Sequence, residues 1–109
     1  MKPWAVLACT VLLASEVVGQ GYKPKSGYVP DSKTAVKIAE AVLIPVYGEE
    51  QIEAERPFSA KLKSGVWTVT GTLRCPDGKG GTTTSCDGGV AEVRISKNDA
   101  RIVYMLHGM

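Results

Sequence analysis

The chain of 109 residues is short of several residue types, and each shortage narrows what it can be. His107 is its one histidine, and the motifs Gly-x-Ser-x-Gly, His-Glu-x-x-His and Cys-x-x-Cys do not occur. We therefore expect no enzyme activity, no metal and no cofactor. The 13 basic and 11 acidic residues form no long run of one sign, so the net charge of +2 does not point to nucleic acid. The composition leaves room for one small domain and excludes collagen, low-complexity disorder and coiled coil.

The chain also lacks a hydrophobic run long enough to span a bilayer, which takes roughly 20 apolar residues. Lys2 precedes eleven uncharged residues, 4–14, and small residues follow, which is the pattern of a secretory signal peptide. We predict that residues 1–19 are removed after Gly19, leaving a periplasmic protein with no membrane anchor. Two alternatives stay open: a lipoprotein signal ending at Cys9, and a buried N-terminal helix of a cytosolic protein.

Cleavage after residue 19 would remove Cys9 and leave Cys75 and Cys86. Two cysteines in an exported chain predict a disulfide. Zinc is the competing interpretation, but it takes about four ligands and His107 is the one further candidate. The bridge would close a twelve-residue loop, worth about 3 kcal/mol in the chain-entropy model. A cytosolic protein with two ordinary thiols is the alternative.

After the signal peptide, glycine and proline punctuate the sequence so often that residues 20–31 are predicted to be a flexible leader before a single domain, 32–109. Asp31 and Ser32 offer a helix N-cap, and apolar residues then recur at helical spacing as far as Tyr47. Pro45 predicts a kink in the last turn, and Gly48 a stop. Residues 49–55 are predicted to be a short acidic helix with a solvated face.

From Phe58 onward the apolar residues alternate, which predicts four strands at 58–63, 66–73, 90–95 and 101–106. The side chains expected to face inward are Phe58, Ala60, Leu62, Trp67, Val69, Leu73, Ala91, Val93, Ile95, Ile102, Tyr104 and Leu106. Gly71 stands on this apolar face without a side chain, which indicates a bulge or a close helix approach. The predicted fold is α+β: a kinked N-terminal helix and a short second helix packed on a curved four-stranded antiparallel sheet.

Residues 74–89 are unusual because they combine five glycines, four consecutive hydroxyl residues and both predicted disulfide cysteines. This composition predicts a long hairpin loop closed by the disulfide. Residues 78–82 superficially look like a phosphate-binding loop, but the lysine and the glycines do not have the required spacing.

Several blocks of the sequence resemble one family. The blocks are residues 34–42, 44–48, 56–58, 65–73, 88–89, 95–97 and 107–108. In this order they are similar to the immunity proteins with a nuclear-transport-factor-2-like fold, found in bacterial polymorphic-toxin and type VI secretion systems. The resemblance covers residues 29–108 and implies a small cone, similar also to cystatins, that binds and neutralises a cognate toxin without catalysis. The stapled segment 75–87 is longer than expected for the family.

Because the binding surface of such a protein must be specific to one partner, the loop 74–89, which contains the segment that departs from the family, is the predicted toxin-binding surface. Its charged side chains are Arg74, Asp77, Lys79 and Asp87. The alternative surface is the acidic segment 49–55. Two other functions stay open: a periplasmic inhibitor of lysozyme or protease, and a small-ligand-binding module that uses a cavity between helix and sheet. We expect Phe58, Trp67 and Tyr47 to fill that cavity.

Overall fold

The computed structural model describes residues 21–84, 86 and 88–108. Within these residues two helices, α1 (Ser32–Tyr47) and α2 (Glu49–Ala54), precede six strands. The strands are β1 (Ser59–Lys63), β2 (Val66–Thr70), β3 (Cys75–Pro76), β4 (Thr82–Thr83), β5 (Ala91–Ser96) and β6 (Ile102–His107). Of the described helices, none has the length and apolar character needed to cross a membrane. The predicted signal peptide, residues 1–19, lies outside the described residues.

The first helix begins and ends where the sequence predicts. Asp31 is extended, and its Oδ1 accepts a hydrogen bond from the backbone N–H of Thr34 at 2.8 Å, which caps the helix. Its buried residues recur every four positions: Ala35, Ala39 and Leu43. The helix passes through Pro45 and ends at Gly48, whose φ of 95° suits glycine.

The main sheet has the strand order β1-β2-β5-β6, and every neighbouring pair is antiparallel. Helix α1 packs against β1, β2 and β5. Between them lies a core formed by Val29, Ala35, Ala39, Leu43, Ile52, Phe58, Trp67, Val69, Ala91, Val93 and Ile95. The predicted α+β architecture is therefore confirmed, including the inward faces of β2 and β5. Strands β3 and β4 form a separate two-stranded ribbon within the loop.

The predicted inward face of β6 is wrong. Val93 pairs with Met105, so Met105 points toward the helices and packs against the core, while Tyr104 is 44 % exposed. An irregularity in the β5–β6 register, between Arg94 and Ile95, shifts the pairing further along the strand. Residues 102–106 are all apolar, so no alternation of polar and apolar residues shows which side chains face inward.

The edge strand β1 and the end of β2 also differ from the prediction. Leu62 lies on the same side of β1 as Ala60, yet it is 46 % exposed. Strand β2 ends at Thr70, three residues earlier than predicted, and the chain there turns toward the end of α2.

Residues 27–30, assigned from sequence to the leader, contact the domain. The N–H groups of Tyr28 and Val29 donate to the carbonyls of Asn98 and Lys97, and Val29 is fully buried. The indole N–H of Trp67 donates to the Val29 carbonyl at 2.8 Å. The segment before α1 is thus fixed to the β5–β6 turn and to β2, which orients the start of the helix.

Candidate functional site

The loop predicted to bind the toxin is built on a short ribbon. Cys75 pairs with Thr83 and Pro76 with Thr82, and a disulfide joins Cys75 to Cys86 with a Cα–Cα distance of 6.4 Å. The ribbon has two residue pairs, so the covalent link is its main constraint.

The four charged residues of this loop have different environments. The Asp77 carboxylate accepts hydrogen bonds from the backbone N–H groups of Lys79 at 2.7 Å and Gly81 at 3.0 Å, and these bonds hold the pKa of Asp77 below its ordinary value. Asp77 therefore shapes the turn. Arg74 and Lys79 have exposed side chains. Asp87 lies outside the described residues.

A second cluster, which the sequence interpretation missed, surrounds Glu55 at the end of α2. Glu55 is only 5 % exposed, although we predicted a solvated face for the whole acidic segment. Its Oε1 accepts the backbone N–H of Ala91 at 2.7 Å, and its Oε2 accepts from Nε2 of Gln51 at 2.8 Å. The same Oε2 lies 2.7 Å from Nε2 of His107. We call Glu55, Gln51, His107 and Tyr47 the Glu55 cluster.

The contacts of His107 indicate its charge. Its Nδ1 lies 2.8 Å from the carbonyl oxygen of Gly108, which can only accept, and its Nε2 faces the Glu55 carboxylate. Both ring nitrogens therefore face acceptors, an arrangement that favours the imidazolium form. The hydrogen bond to Glu55 raises the pKa of His107 above its ordinary value, and it outweighs the opposing effect of burial.

The carboxylate of Glu55 is stabilised in its ionised form. Burial raises the pKa of Glu55, but the hydrogen bonds from Ala91, Gln51 and His107 together lower it further than burial raises it. The net pKa of Glu55 is below its ordinary value. A buried carboxylate without these donors would be strongly destabilising.

Gly71 makes room for this carboxylate. A Cβ at position 71 would lie 2.8 Å from Oε1 of Glu55 and 3.1 Å from the ring of Phe58. The backbone N–H of Thr72 also donates to the Glu55 carbonyl at 2.7 Å. The close helix approach predicted from Gly71 is confirmed, since the end of α2 occupies the space where a side chain would stand.

The Glu55 cluster joins three parts of the fold. It connects the end of α2 with the start of β5 and the end of β6, and the Tyr47 ring lies over His107 with centroids 5.2 Å apart. Both carboxylate oxygens of Glu55 accept hydrogen bonds, Oε1 from Ala91 and Oε2 from Gln51. No three His, Cys, Asp or Glu side chains of the described residues lie together as metal ligands would. The geometry is that of an internal link.

With the fold and these two regions established, comparison with known proteins is decisive. Residues 34–109 match the family model Imm-NTF2-2, described as NTF2 fold immunity protein. The chain belongs to this family. The resemblance predicted from the ordered sequence blocks is thereby confirmed.

This NTF2-fold immunity protein is also similar to a protein of Escherichia coli (strain K12) described as uncharacterized protein YhhH. The two are 26 % identical over 105 residues, which cover 96 % of this chain and 76 % of the relative. No solved structure matches the chain.

The interior of the immunity protein is occupied largely by its own side chains. Phe58 and Trp67 are 8 % and 7 % exposed, and Tyr47 is half-buried against His107. These are the three aromatic residues predicted to fill the space between helix and sheet.

Proposed function

We propose that this chain is an exported immunity protein that neutralises a cognate antibacterial toxin by binding it, without catalysis. The observation that carries the proposal is the match to the immunity family over residues 34–109.

The proposal includes the compartment. Lys2 and the uncharged run that follows it favour export to the periplasm. A protein in that compartment would meet toxins delivered by a neighbouring cell, through type VI secretion or a related system, before they attack the cell envelope. An envelope-directed toxin is therefore the proposed partner.

We place part of the toxin-binding surface on the loop 74–89. The disulfide and the Asp77 turn hold the loop in one shape before contact, which reduces the ordering cost of association. Arg74 and Lys79 present their charges to solvent. Together with Asp87, they are the proposed contacts.

The experiment measures whether this chain protects cells from a toxin that is encoded beside its gene. The toxin is directed either to the periplasm or to the cytoplasm, and it is co-expressed with the full chain or with a chain lacking residues 2–19. Protection by the full chain against the periplasmic toxin, lost in the shortened chain, is the expected result. A full chain that neither protects nor binds the purified toxin would contradict the proposed function.

A second comparison separates the loop from the acidic helix. One variant shortens the loop between Cys75 and Cys86, and the other changes Glu49, Glu50 and Glu53 to glutamine. Glu55 is left unchanged because it is buried and its loss would disturb the fold. Loss of protection in the folded loop variant alone is expected. Full protection by that variant would remove the loop from the binding surface.

A further inference from the structure

A groove runs between the first helix and the first strand of the sheet. Its lining residues are Ser32, Lys33, Val36 and Lys37 on the helix side and Phe58, Ser59 and Ala60 on the strand side. The floor is apolar, with Val36, Phe58 and Ala60, whereas the helical wall presents two ammonium groups. The groove is open to solvent, so a segment of another chain has access to it.

The strand side of this groove is a sheet edge that pairs with no other strand of the described residues. Strand β1 pairs with β2 on one side, and it is the terminal strand of the main sheet in the described part of the chain. Alternate backbone N–H and C=O groups of an edge strand point away from the sheet and can pair with another extended chain. An added strand gains main-chain hydrogen bonds from the edge and specificity from neighbouring side chains.

The charged side chains that line the groove are basic. Lys33 and Lys37 line it, and Lys61 and Lys63 project from the exposed side of β1. None of these four lysines has a salt bridge to a described residue. The acidic residues nearest to Lys33 and Lys37 in sequence are already engaged: Asp31 caps the helix, and Glu40 is paired with Arg56. The pKa of Asp31 is lowered mainly by its hydrogen bonds with Thr34, and Lys33 and Lys37 add a smaller effect. An occupant with carboxylates would therefore find exposed ammonium groups on both sides of the strand edge.

We propose that this groove binds an extended acidic segment of the partner protein, which adds to the sheet as a strand beside β1. The segment would place apolar side chains on the floor at Val36 and Phe58 and carboxylates against Lys33 and Lys37. This inference rests on the proposed function, since it takes the partner to be the toxin. It names the chemistry of the toxin segment: extended, acidic and alternately apolar.

The chain that leads from β2 into the loop passes close to one end of the groove. The hydroxyl of Thr72 donates to the carbonyl of Pro57 at 2.6 Å, so the chain leaves β2 toward the loop beside Phe58, a residue of the groove floor. A single partner can therefore contact the loop and extend a strand into the groove.

The test uses a phage-displayed library of short random peptides, selected on the folded protein with its disulfide intact. Peptides with alternating acidic and apolar residues are expected to be enriched. Their binding should weaken at high salt, because the charge pairs are at the surface. Hydrogen exchange of the β1 amides should slow when such a peptide binds, since an added strand uses those N–H groups.

A charge-reversal variant locates the binding. Lys33→Glu with Lys37→Glu should weaken binding of the enriched peptides by about tenfold or more, from two lost charge pairs and new repulsion. The matched control is Lys23→Glu with Lys25→Glu, which changes the net charge equally but lies outside the groove lining. Circular dichroism and urea unfolding confirm that both variants fold.

Three results would overturn the inference: no enrichment of acidic peptides, equal binding by the groove and control variants, or a β1 edge covered by a second copy of this chain in size-exclusion and exchange measurements. Protection assays keep the two proposals separate. If the wild type protects cells and the folded Lys33→Glu/Lys37→Glu variant protects equally, the groove inference fails and the immunity function stands. If the wild type fails to protect while acidic peptides bind the groove, the immunity function fails instead.

Discussion

At the scale of single residues, Glu55 is the one charged side chain that is buried in the described part of the chain. It is buried at the end of α2, yet it is ionised because backbone and side-chain donors surround it. Two other residues contact it directly. Gly71 leaves space for the carboxylate, and His107 supplies the opposite charge. Changes at these two positions should therefore act through Glu55.

Gly71→Ala should lower the free energy of unfolding by about 1–3 kcal/mol, because the added methyl group would overlap Glu55 and the ring of Phe58. Urea denaturation measures the change. Gly21→Ala is the matched control, since a Cβ at that position meets no atom within 4 Å. Equal stability of the two variants would show that Glu55 and Phe58 do not pack closely against position 71.

The Glu55–His107 pair should make stability depend on pH in two directions. The pKa of His107 is raised above its ordinary value of 6.5, so its contribution is full below that value and disappears as pH rises through the folded-state pKa. The pKa of Glu55 is lowered from 4.5, so its contribution is full above that value and disappears as pH falls through the folded-state pKa. The pair should stabilise the fold most between 4.5 and 6.5.

His107→Gln removes the basic half of this dependence and should destabilise the protein by about 1–3 kcal/mol in that window. The loss should shrink as pH rises, because the parent then loses the same charged contact. Since the chain has one histidine, its ring proton resonance in an NMR titration reports the pKa directly. A titration midpoint at or below 6.5 would contradict the ion pair.

At the scale of elements, Trp67 joins β2 to the segment that precedes α1. Trp67→Ala should lower the free energy of unfolding by about 3–5 kcal/mol, from lost burial and a residual cavity. Trp67→Phe retains an aromatic ring but removes the hydrogen bond to the Val29 carbonyl. This variant should lower the free energy of unfolding by about 1–2 kcal/mol. Urea unfolding of both variants separates packing from hydrogen bonding. A stable Trp67→Ala variant would mean that the helix start is held by other contacts.

The ribbon of β3 and β4 depends on its disulfide. Replacing both Cys75 and Cys86 with serine should lower the free energy of unfolding by about 2–4 kcal/mol, because the unfolded chain regains the freedom of the open loop. The parent protein in reducing agent is the matched control and should show the same loss. The mass of the non-reduced protein checks the bond itself, and two alkylatable thiols would rule it out.

At the scale of the whole molecule, the sequence was sufficient to predict the architecture. It was not sufficient to predict the inward face of β6 or the Glu55 cluster. The spacing of Ala35, Ala39 and Leu43 predicted α1, and the alternation around Val93 predicted β5, because burial on one face leaves a period in the sequence. Apolar residues throughout β6 leave no such period, so its inward side could not be predicted.

The Glu55 cluster was missed for a related reason. Four glutamates between residues 49 and 55 look alike in sequence, and three of them are exposed as expected. Only the register of β5 and β6 brings Ala91 and His107 to the fourth. The available signals were indirect: a glycine on an apolar face at Gly71 and a single histidine near the end of the described chain.

The processing of the molecule is a further prediction. Intact-mass measurement of periplasmic and cytoplasmic fractions should find a species that begins at or near Gln20 in the periplasm, since the uncharged run behind Lys2 has the length of the apolar region of a signal peptide. A chain lacking residues 2–19 should stay in the cytoplasm. A full-length cytoplasmic species as the main form of the parent would overturn the export proposal.

The position of His107 also determines when the domain can finish folding. Synthesis proceeds from the N-terminus, so Glu55 is exposed on the nascent chain long before its partner leaves the ribosome. The hydrogen-bond partner of the Val29 N–H, the carbonyl of Lys97, is also synthesised later, as is the N–H of Gly108 that donates to the Val90 carbonyl. Such long-range contacts make folding late and cooperative. The domain therefore completes its structure only after residue 108 has emerged from the ribosome.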